Sequence, residues 1–244
     1  MTTAPYTLFI SDLHLQESQP EILQLFYRFL QQQAPHADAL YILGDLFEVW
    51  LGDDDNQVFL QTVKNALKTL VESGVPVYIM AGNRDFLLGQ RFAQESGCKM
   101  LQDPTLIDLY GQSVLLTHGD FLCTQDRRHQ YFRRFVQQSW IRRLILAIPL
   151  KLRRKMGKRL RHMSYRRTQQ LADNIMDVTP EAVQQLMARY QTARLIHGHT
   201  HLPAIHNWLV ADQNFSRMVL GAWHEQGSAL IYDAKGHAQL EIVT

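Results

Sequence analysis

Five apolar segments of this chain end in the same way, with aspartate, asparagine or histidine directly after a β-type run. In layered α/β folds, ligands bind at the carboxyl ends of the strands. We therefore expect the five strand ends to converge on one site, which constrains the fold more tightly than composition does. The segments are FISDLH (9–14), YILGD (41–45), YIMAGNRD (78–85), LLTHGD (115–120) and LIHGHTH (195–201).

Asp45 is the expected centre of that site. Gly44, directly before it, leaves space for the backbone to approach a ligand closely. A carboxylate can bind two cations that lie about 3.5–4 Å apart, and we predict that Asp45 forms this bridge. Asp12 and His14, two residues apart on a strand, should point to the same side. The first metal ion would be bound by Asp12, His14, Asp45 and His201, and the second by Asp45, Asn83, His118 and His199.

The predicted donor set indicates the metal and the reaction class. Imidazole, carboxylate and amide oxygen without thiolate favour Mn²⁺ or a similar ion over a structural zinc. Two such ions polarise a phosphoryl group and lower the pKa of a bridging water. Hydrolysis of a phosphoester or phosphoanhydride is the predicted reaction, with Asp45 as the central catalytic residue and His118 or His199 able to assist by proton transfer.

These motifs are those of a known family. Asp-x-His, Gly-Asp, Gly-Asn-x-Asp, His-Gly and Gly-His-x-His are all present in order, so the chain resembles the calcineurin-like metallophosphoesterases over residues 8–201. The resemblance implies an α/β fold of two facing mixed β-sheets flanked by helices. One branch, the UDP-2,3-diacylglucosamine pyrophosphohydrolases of lipid A biosynthesis, is similar in the flanking residues as well: SDLHL (11–15), YILGDLFEVW (41–50), GNRDFLL (82–88) and HGHTHLP (197–203).

The resemblance to this branch implies a specific reaction. An activated water would attack the α phosphorus of UDP-2,3-diacylglucosamine and release UMP and 2,3-diacylglucosamine 1-phosphate (lipid X), with two divalent ions, Mn²⁺ first, as cofactors. Arg84 suits this substrate because a guanidinium offers paired donors to phosphate. Leu171 departs from the branch, which usually has lysine there. The residues that correspond to substrate contacts are Asn83, Arg84, Asp126, Ser164, Thr168 and His199.

Two of these contacts have simpler interpretations. Asp126 can cap a helix, and Ser164 can be an ordinary helix residue.

Elsewhere, Ser18 to Glu21 reads as a capping box in front of a helix with a buried apolar stripe. Turns at Gly111 and Gly236 each predict a β-hairpin. We expect a metallophosphoesterase core at residues 1–124 and 180–244 with an inserted helical cap at 125–179.

The predicted cap is strongly basic. Residues 127–167 contain 15 of the 25 Lys and Arg residues and no Asp or Glu, so the rest of the chain has 10 basic and 23 acidic residues. Trp140, Leu144 and other apolar residues alternate with these cations, in runs shorter than the roughly 20 residues of a membrane-spanning helix. Such a helix can lie on an anionic membrane surface or simply present a solvated face. The family resemblance favours a membrane-facing lid that also receives acyl chains.

The basic segment and the predicted site are also compatible with other functions. Basic helices also bind nucleic acid, so a two-metal phosphodiesterase acting on nucleotides or nucleic acid is the main alternative. A non-catalytic adaptor on a hydrolase fold is the other. No recognised reading motif supports a nucleic-acid partner, and we expect none. No secretion signal is visible, and Cys98 and Cys123 are too few for a disulfide framework, so reduced, cytosolic thiols are expected. The chain is therefore predicted to lie peripherally on the cytoplasmic face of the inner membrane.

Overall fold

The computed structural model describes residues 5–168 and 177–244, apart from the side chains of residues 160 and 162–168. Within this part of the chain, two mixed β-sheets face each other. The first sheet has the strand order β11-β10-β1-β2-β3-β4. These strands are β1 (Tyr6–Ile10), β2 (Ala39–Leu43), β3 (Val77–Met80), β4 (Lys99–Leu101), β10 (Gly227–Asp233) and β11 (Ala238–Val243).

The second sheet has five strands in the order β5-β6-β7-β9-β8. Its central strands β6, β7 and β9 are parallel, while β5 and β8 are antiparallel edge strands. In the first sheet, β1 to β4 are parallel. The strands of the second sheet are β5 (Thr105–Leu109), β6 (Gln112–Thr117), β7 (Arg194–His197), β8 (Ala204–Val210) and β9 (Gln213–Val219).

Helices cover the outer faces of both sheets. One core packs α1 to α3 against the first sheet, a second lies between the sheets, and a third packs α7 against the second sheet. Short 3-10 helices occur at Ala34–His36 and Asp120–Leu122. The α-helices are α1 (Pro20–Gln32), α2 (Val58–Glu72), α3 (Gln90–Ser96), α4 (Arg127–Val136), α5 (Ser139–Ala147), α6 (Leu150–Thr168) and α7 (Pro180–Arg189).

The α/β architecture of two facing mixed sheets confirms the predicted fold class. The hairpins around Gly111 and Gly236 are present as β5-β6 and β10-β11. The predicted capping box is wrong, because α1 begins at Pro20 and Gln19, its N-cap residue, makes no side-chain capping bond. Proline is pre-organised for the first helical position, so it starts the helix without that bond.

Helices α4 to α6 lie between β6 and β7 in the sequence, where the cap is predicted. The division of the chain at residues 125 and 179 stays a prediction. Ser164 and Thr168 belong to α6, but their side chains lie outside the described residues, as does all of Leu171. No helix in the described ranges combines the length and the apolar character needed to span a bilayer.

Candidate metal centre

The predicted ligands converge because five parallel strands end at one edge of the double sheet. Asp12, Asp45 and Asn83 follow β1, β2 and β3 of the first sheet. His118 and His199 follow β6 and β7 of the second. Each apolar strand is buried, so its end is held rigidly while the polar residue that follows reaches the shared edge.

The predicted position of Asp12 and His14 on a strand is wrong. Asp12 and His14 do not lie on a strand, because β1 ends at Ile10 and both residues belong to the loop that follows. This loop runs beside the loop after β2. The Asp12 N–H donates to Gly44 O at 3.1 Å, and the His14 N–H donates to Asp45 O at 3.0 Å. Backbone pairing between loops, rather than strand pleating, brings the two side chains to the same side.

Most of these ligands also have an unusual backbone conformation. Left-handed φ values cost L-residues roughly 1–2 kcal/mol each. Aspartate and histidine are nevertheless several-fold enriched among the residues that adopt them. Such strained positions cluster at functional sites. Five of the seven predicted metal ligands have φ between 49° and 70°: Asp12, His14, Asp45, His199 and His201.

Gly44 allows the two sheets to meet at the site. Its φ is +91°, and a Cβ at this position would lie 2.5 Å from His118 Nδ1 and 2.8 Å from Gly82 Cα. The space that the glycine leaves is therefore filled by an imidazole of the second sheet. A side chain here would push His118 away from the loop that carries Asp45.

The first group of candidate ligands is Asp12, His14 and His201. His14 Nε2 lies 3.3 Å from His201 Nε2, and Asp12 Oδ1 lies 3.3 Å from the same His201 atom. Asp12 is fully buried, and its other oxygen accepts hydrogen bonds from Ser11 Oγ at 2.6 Å and from the His199 N–H at 2.8 Å. The ligand atoms of the three residues lie close enough together to hold one cation.

The second group is centred on His118. Its Nδ1 lies 2.9 Å from Leu43 O, and because a carbonyl can only accept, Nδ1 carries the proton. His118 Nε2 then faces Asn83 Oδ1 at 3.0 Å and Asp45 Oδ1 at 3.7 Å. Among the acidic and histidine side chains described, His118, Asp45 and Asp12 form a second group with cation-binding geometry.

Asp45 lies between the two groups. Its Oδ1 is 3.7 Å from His118 Nε2, while its Oδ2 is 4.0 Å from His14 Nε2. The Arg84 N–H donates to Oδ1 at 2.8 Å and helps to fix the carboxylate. One oxygen of Asp45 therefore faces each group, which is the arrangement that a bridging ligand requires.

His199 completes the site from β7. Burial lowers its pKa to about 3, with a further contribution from His118, so the imidazole is neutral and able to bind a metal ion. Its ring lies 5.1 Å from the His118 ring and stacks at 5.6 Å on His129 of α4. Sequence reasoning missed His129, which lies three residues after Asp126 at the start of α4.

The electrostatics of the cluster favour a positive charge at its centre. Burial lowers the pKa of His118, but Asp45, Asp12 and Asp120 outweigh it and raise that pKa to about 9. Burial also opposes ionisation of Asp12, yet the neighbouring imidazoles hold its pKa well below the usual range. Carboxylates that stabilise a buried imidazolium would equally stabilise a cation in its place.

The residues fit a pair of divalent ions. Buried polar atoms are normally hydrogen-bonded, but Asp12 Oδ1 has no hydrogen-bond partner among the described residues and faces the first group. Together the two groups supply imidazole, carboxylate and amide oxygen, a donor set suited to borderline divalent ions. An unsatisfied buried oxygen beside the imidazoles of His14 and His201 is therefore explained by a cation that it would bind.

Asp85 and His197 support the site from behind. Asp85 accepts hydrogen bonds from the N–H groups of Leu46, Phe47 and Gly82, at 2.8, 3.3 and 2.7 Å, and so joins the loops after β2 and β3. His197 is fully buried, and its Nδ1 lies 2.9 Å from Gly198 O. Both residues contact the ligand loops without reaching the centre, so they help to hold its shape.

The predicted substrate residues are distributed around the rim. Arg84 follows Asn83 directly, and its guanidinium lies 3.6 Å from Glu48. Asp126 accepts a hydrogen bond from the His129 N–H at 3.0 Å, so it caps α4, as its simpler interpretation predicted. Glu48 was not among the predicted residues, although it follows Asp45 by three positions and lies beside His14.

With two facing sheets and this cluster at their strand ends, the chain belongs to the calcineurin-like phosphoesterase family, whose profile matches residues 6–203. It is 50% identical over 236 residues to a UDP-2,3-diacylglucosamine hydrolase of Coxiella burnetii (strain Dugway 5J108-111), covering 97% of each chain. A Klebsiella pneumoniae protein of the same name is 51% identical over 222 residues, covering 91% of this chain and 92% of that one. A solved archaeal phosphodiesterase matches 97% of this chain with a TM-score of 0.49 and 10% identity.

Proposed function

We propose that this protein hydrolyses the pyrophosphate bond of UDP-2,3-diacylglucosamine. The oxygen of a water molecule forms a bond to the α phosphorus, next to uridine. The bond from that phosphorus to the bridging oxygen breaks, and the bridging oxygen leaves with the electron pair on 2,3-diacylglucosamine 1-phosphate. The water protons are released, and the other product is UMP, so no oxidant or further co-substrate is needed.

The observation that carries this proposal is the position of Asp45 between two groups of ligands. Its two carboxylate oxygens face His118 on one side and His14 on the other. That arrangement supports two-metal hydrolysis. The relatives that are about half identical over nearly the whole chain are named as hydrolases of UDP-2,3-diacylglucosamine, and this supports the choice of substrate.

Two divalent ions, Mn²⁺ first, are the proposed cofactors. Asp12, His14, Asp45 and His201 would hold one, and Asp45, Asn83, His118 and His199 the other. When bound, such ions supply Lewis acidity toward the phosphoryl oxygens and a lowered pKa for a coordinated water. His118 Nδ1 keeps its proton and donates it to Leu43 O, and this hydrogen bond presents Nε2, the opposite ring nitrogen, to the site.

Catalysis by the chain itself then requires little proton transfer. The leaving group is a phosphate monoester, which needs only weak protonation to depart. His118 and His199, whose rings lie 5.1 Å apart, are the side chains proposed to assist in proton transfer. Asn83 and Arg84 are proposed to orient the phosphates, since the Arg84 side chain is partly exposed beside the Asp45 loop.

The sugar phosphate is proposed to bind toward the cap, at Asp126, Ser164, Thr168 and His199. His129 contacts both Asp126 and His199, because its ring stacks on His199 and its N–H donates to Asp126. This contact places the start of α4 beside the metal centre. We therefore propose that residues 125–179 form the lid that closes over the lipid part of the substrate.

The same helices are proposed to contact an anionic membrane surface from the cytoplasmic side. Large apolar side chains on α4 to α6 are exposed, and cations alternate with them along each helix. Exposed apolar groups rimmed by positive charge are typical of proteins that lie on anionic lipid. The exposed side chains are Tyr131, Phe132, Phe135, Trp140, Leu144, Leu146, Leu152 and Met156.

UMP release in detergent tests the proposal. Purified protein is incubated with UDP-2,3-diacylglucosamine and Mn²⁺, with a chelator in a parallel sample, and with RNA or a chromogenic phosphodiester as alternative substrates. We expect Mn²⁺-dependent UMP and lipid 1-phosphate in equal amounts. Rapid hydrolysis of RNA or of the small diester without any turnover of the lipid would instead support the nucleotide- or nucleic-acid-directed alternative.

A further inference from the structure

We propose that Glu48 is a positioning residue that orients the metal ligand His14 through one carboxylate oxygen and anchors helix α6 through the other. This inference rests on the proposed metal-dependent function. Glu48 would then have two roles that are not assigned by the metal-ligand motifs. It would support a metal ligand, and it would connect the metal centre to the basic helices.

The first contact is with the imidazole of His14. Glu48 Oε2 lies 3.2 Å from His14 Nδ1, and both side chains are largely buried. His14 Nε2, the opposite ring nitrogen, faces His201 and lies 4.0 Å from an oxygen of Asp12 and of Asp45. A proton on Nδ1 that is directed at Glu48 leaves Nε2 free to bind a cation, which is how carboxylates support histidine ligands.

The second contact is with helix α6. Glu48 Oε1 lies 3.0 Å from Arg161 Nε and 3.6 Å from Arg84 Nη1. Arg84 belongs to the loop after β3 and Arg161 to α6, so three separate segments meet at one carboxylate. Since each oxygen has its own partners, the pairing with α6 does not compete with the contact to His14.

The backbone holds Glu48 in this position. Its N–H donates to Leu15 O at 3.2 Å, and the Leu15 N–H donates to Leu46 O at 2.9 Å. Leu15 follows His14 directly, so the segments that carry the carboxylate and the imidazole are paired along their backbones. A glutamate on a flexible surface loop would lose more side-chain entropy to form such contacts.

Mn²⁺ affinity measured by competition with a fluorescent chelator is the primary test, because it does not depend on turnover. Carboxylates behind histidine ligands typically contribute about 10- to 100-fold in metal affinity or activity. We expect Glu48→Ala to weaken Mn²⁺ binding within that range. Glu48→Gln, which keeps one acceptor oxygen for His14, should lose less, and Arg161→Ala should change the affinity by less than about 3-fold.

Hydrogen exchange along α6 tests the second contact. Glu48→Ala and Arg161→Ala should each increase exchange near Arg161, and the double variant should show no more than the larger single effect, because both changes remove the same pair. Glu95→Gln is the matched control, since Glu95 on helix α3 forms its ion pairs with Lys64 and Arg91, neither of which is a predicted ligand. It should alter neither Mn²⁺ affinity nor exchange in α6.

The outcomes separate this inference from the proposed function. Wild-type Mn²⁺ affinity in a folded Glu48→Ala protein, with unchanged circular dichroism, would overturn the positioning role. If Glu48→Ala does not fold, Glu48→Gln is used in its place. Unchanged Mn²⁺ affinity together with unchanged hydrogen exchange in α6 would then overturn the positioning role. A different result would separate the two proposals. If the wild-type protein releases no UMP but the Glu48 variants still bind Mn²⁺ more weakly than the wild type, the role of Glu48 is supported and the proposed substrate is rejected.

Discussion

The metal-ligand loops and the α4–α6 helices hold their charged groups in opposite ways. In the loops, Asp12, Asp45 and His118 are buried and fixed by backbone or neighbouring side-chain contacts. On the helices, most cations are exposed between exposed apolar residues such as Trp140 and Leu144. The loops are therefore organised for one rigid geometry, whereas the helices expose charged and apolar side chains at the surface.

A small set of ion pairs joins these regions. Arg133 of α4 donates to Asp120 at 2.7 Å and to Asp103 at 3.2 Å. Arg153 of α6 is buried and donates to Asp54 and to the carbonyl groups of Leu51 and Ile148. The helices are thus held to the core by a few cations at their inner face, while the outer cations remain available for another surface.

The largest expected effect is the loss of the central carboxylate. Asp45→Ala should reduce UMP release by at least about 1000-fold, or about 4 kcal/mol of transition-state free energy, because both groups of ligands lose their shared member. Steady-state kinetics with saturating Mn²⁺ measures this. Asp108→Asn, at an exposed position of β5 that accepts a hydrogen bond from the Gly111 N–H, is the control and should retain activity. Full turnover by Asp45→Ala would reject the bridging role.

Metal binding should stabilise the loops but not the helices. At a Mn²⁺ concentration about 100 times the dissociation constant, linkage predicts about 2.7 kcal/mol of added stability, or a rise of about 5–10 °C in Tm. Differential scanning calorimetry with Mn²⁺ and with chelator checks this value. Ca²⁺, a harder ion that prefers oxygen ligands, should give a smaller shift, and an equal or larger shift would contradict the predicted donor set.

Removal of Arg153 should loosen the helices and leave the loops intact. Arg153→Ala leaves the partly buried carbonyl groups of Leu51 and Ile148 without this donor and should cost about 2 kcal/mol of stability. Hydrogen exchange should rise in α6, while Mn²⁺ affinity stays unchanged. Arg159→Ala, on the same helix and exposed, is the matched variant and should leave exchange as in the wild type. A large loss of Mn²⁺ affinity in Arg153→Ala would show that the regions are not independent.

Loss of exposed apolar surface should have the smallest effect, confined to lipid binding. Trp140 and Leu144 are 57% and 58% exposed, so replacing both by serine should not unfold the protein. Binding to vesicles that contain anionic lipid should weaken by at least about 10-fold, since even one inserted side chain of this size contributes roughly 1.5–3 kcal/mol and about 1.4 kcal/mol is tenfold. Sedimentation at two salt concentrations measures it. Wild-type binding by the double variant would place the contact elsewhere.

The fold and the convergence of the ligands could be predicted because both depend on local sequence. Apolar runs indicate parallel strands, and the residue after each run reaches the shared edge. The backbone at this edge could not be predicted in the same way. Asp12 and His14 lie in a loop with left-handed φ values, and their common direction depends on pairing with the loop after β2. That pairing is a tertiary contact and leaves no periodic signal.

Glu48 and His129 show a second limit of the sequence. Neither belongs to a metal-ligand motif, and each acquires a role only when another segment is placed beside it, Arg161 for Glu48 and His199 for His129. Isolated glutamates and histidines in a helix or loop are most often solvated surface residues. Residue type alone therefore does not distinguish Glu48 and His129 from such surface residues. Long-range ion pairs and ring contacts of this kind require the folded chain.

Hydrolysis in oxygen-18-labelled water tests the central claim most directly. UDP-2,3-diacylglucosamine is incubated with the Mn²⁺-loaded protein, and both products are analysed by mass spectrometry, with Asp45→Ala as the inactive control. If the converging loops direct water to the phosphorus next to uridine, one labelled oxygen appears in UMP and none in 2,3-diacylglucosamine 1-phosphate. Label in the lipid product, or equal product formation by Asp45→Ala, would contradict the account.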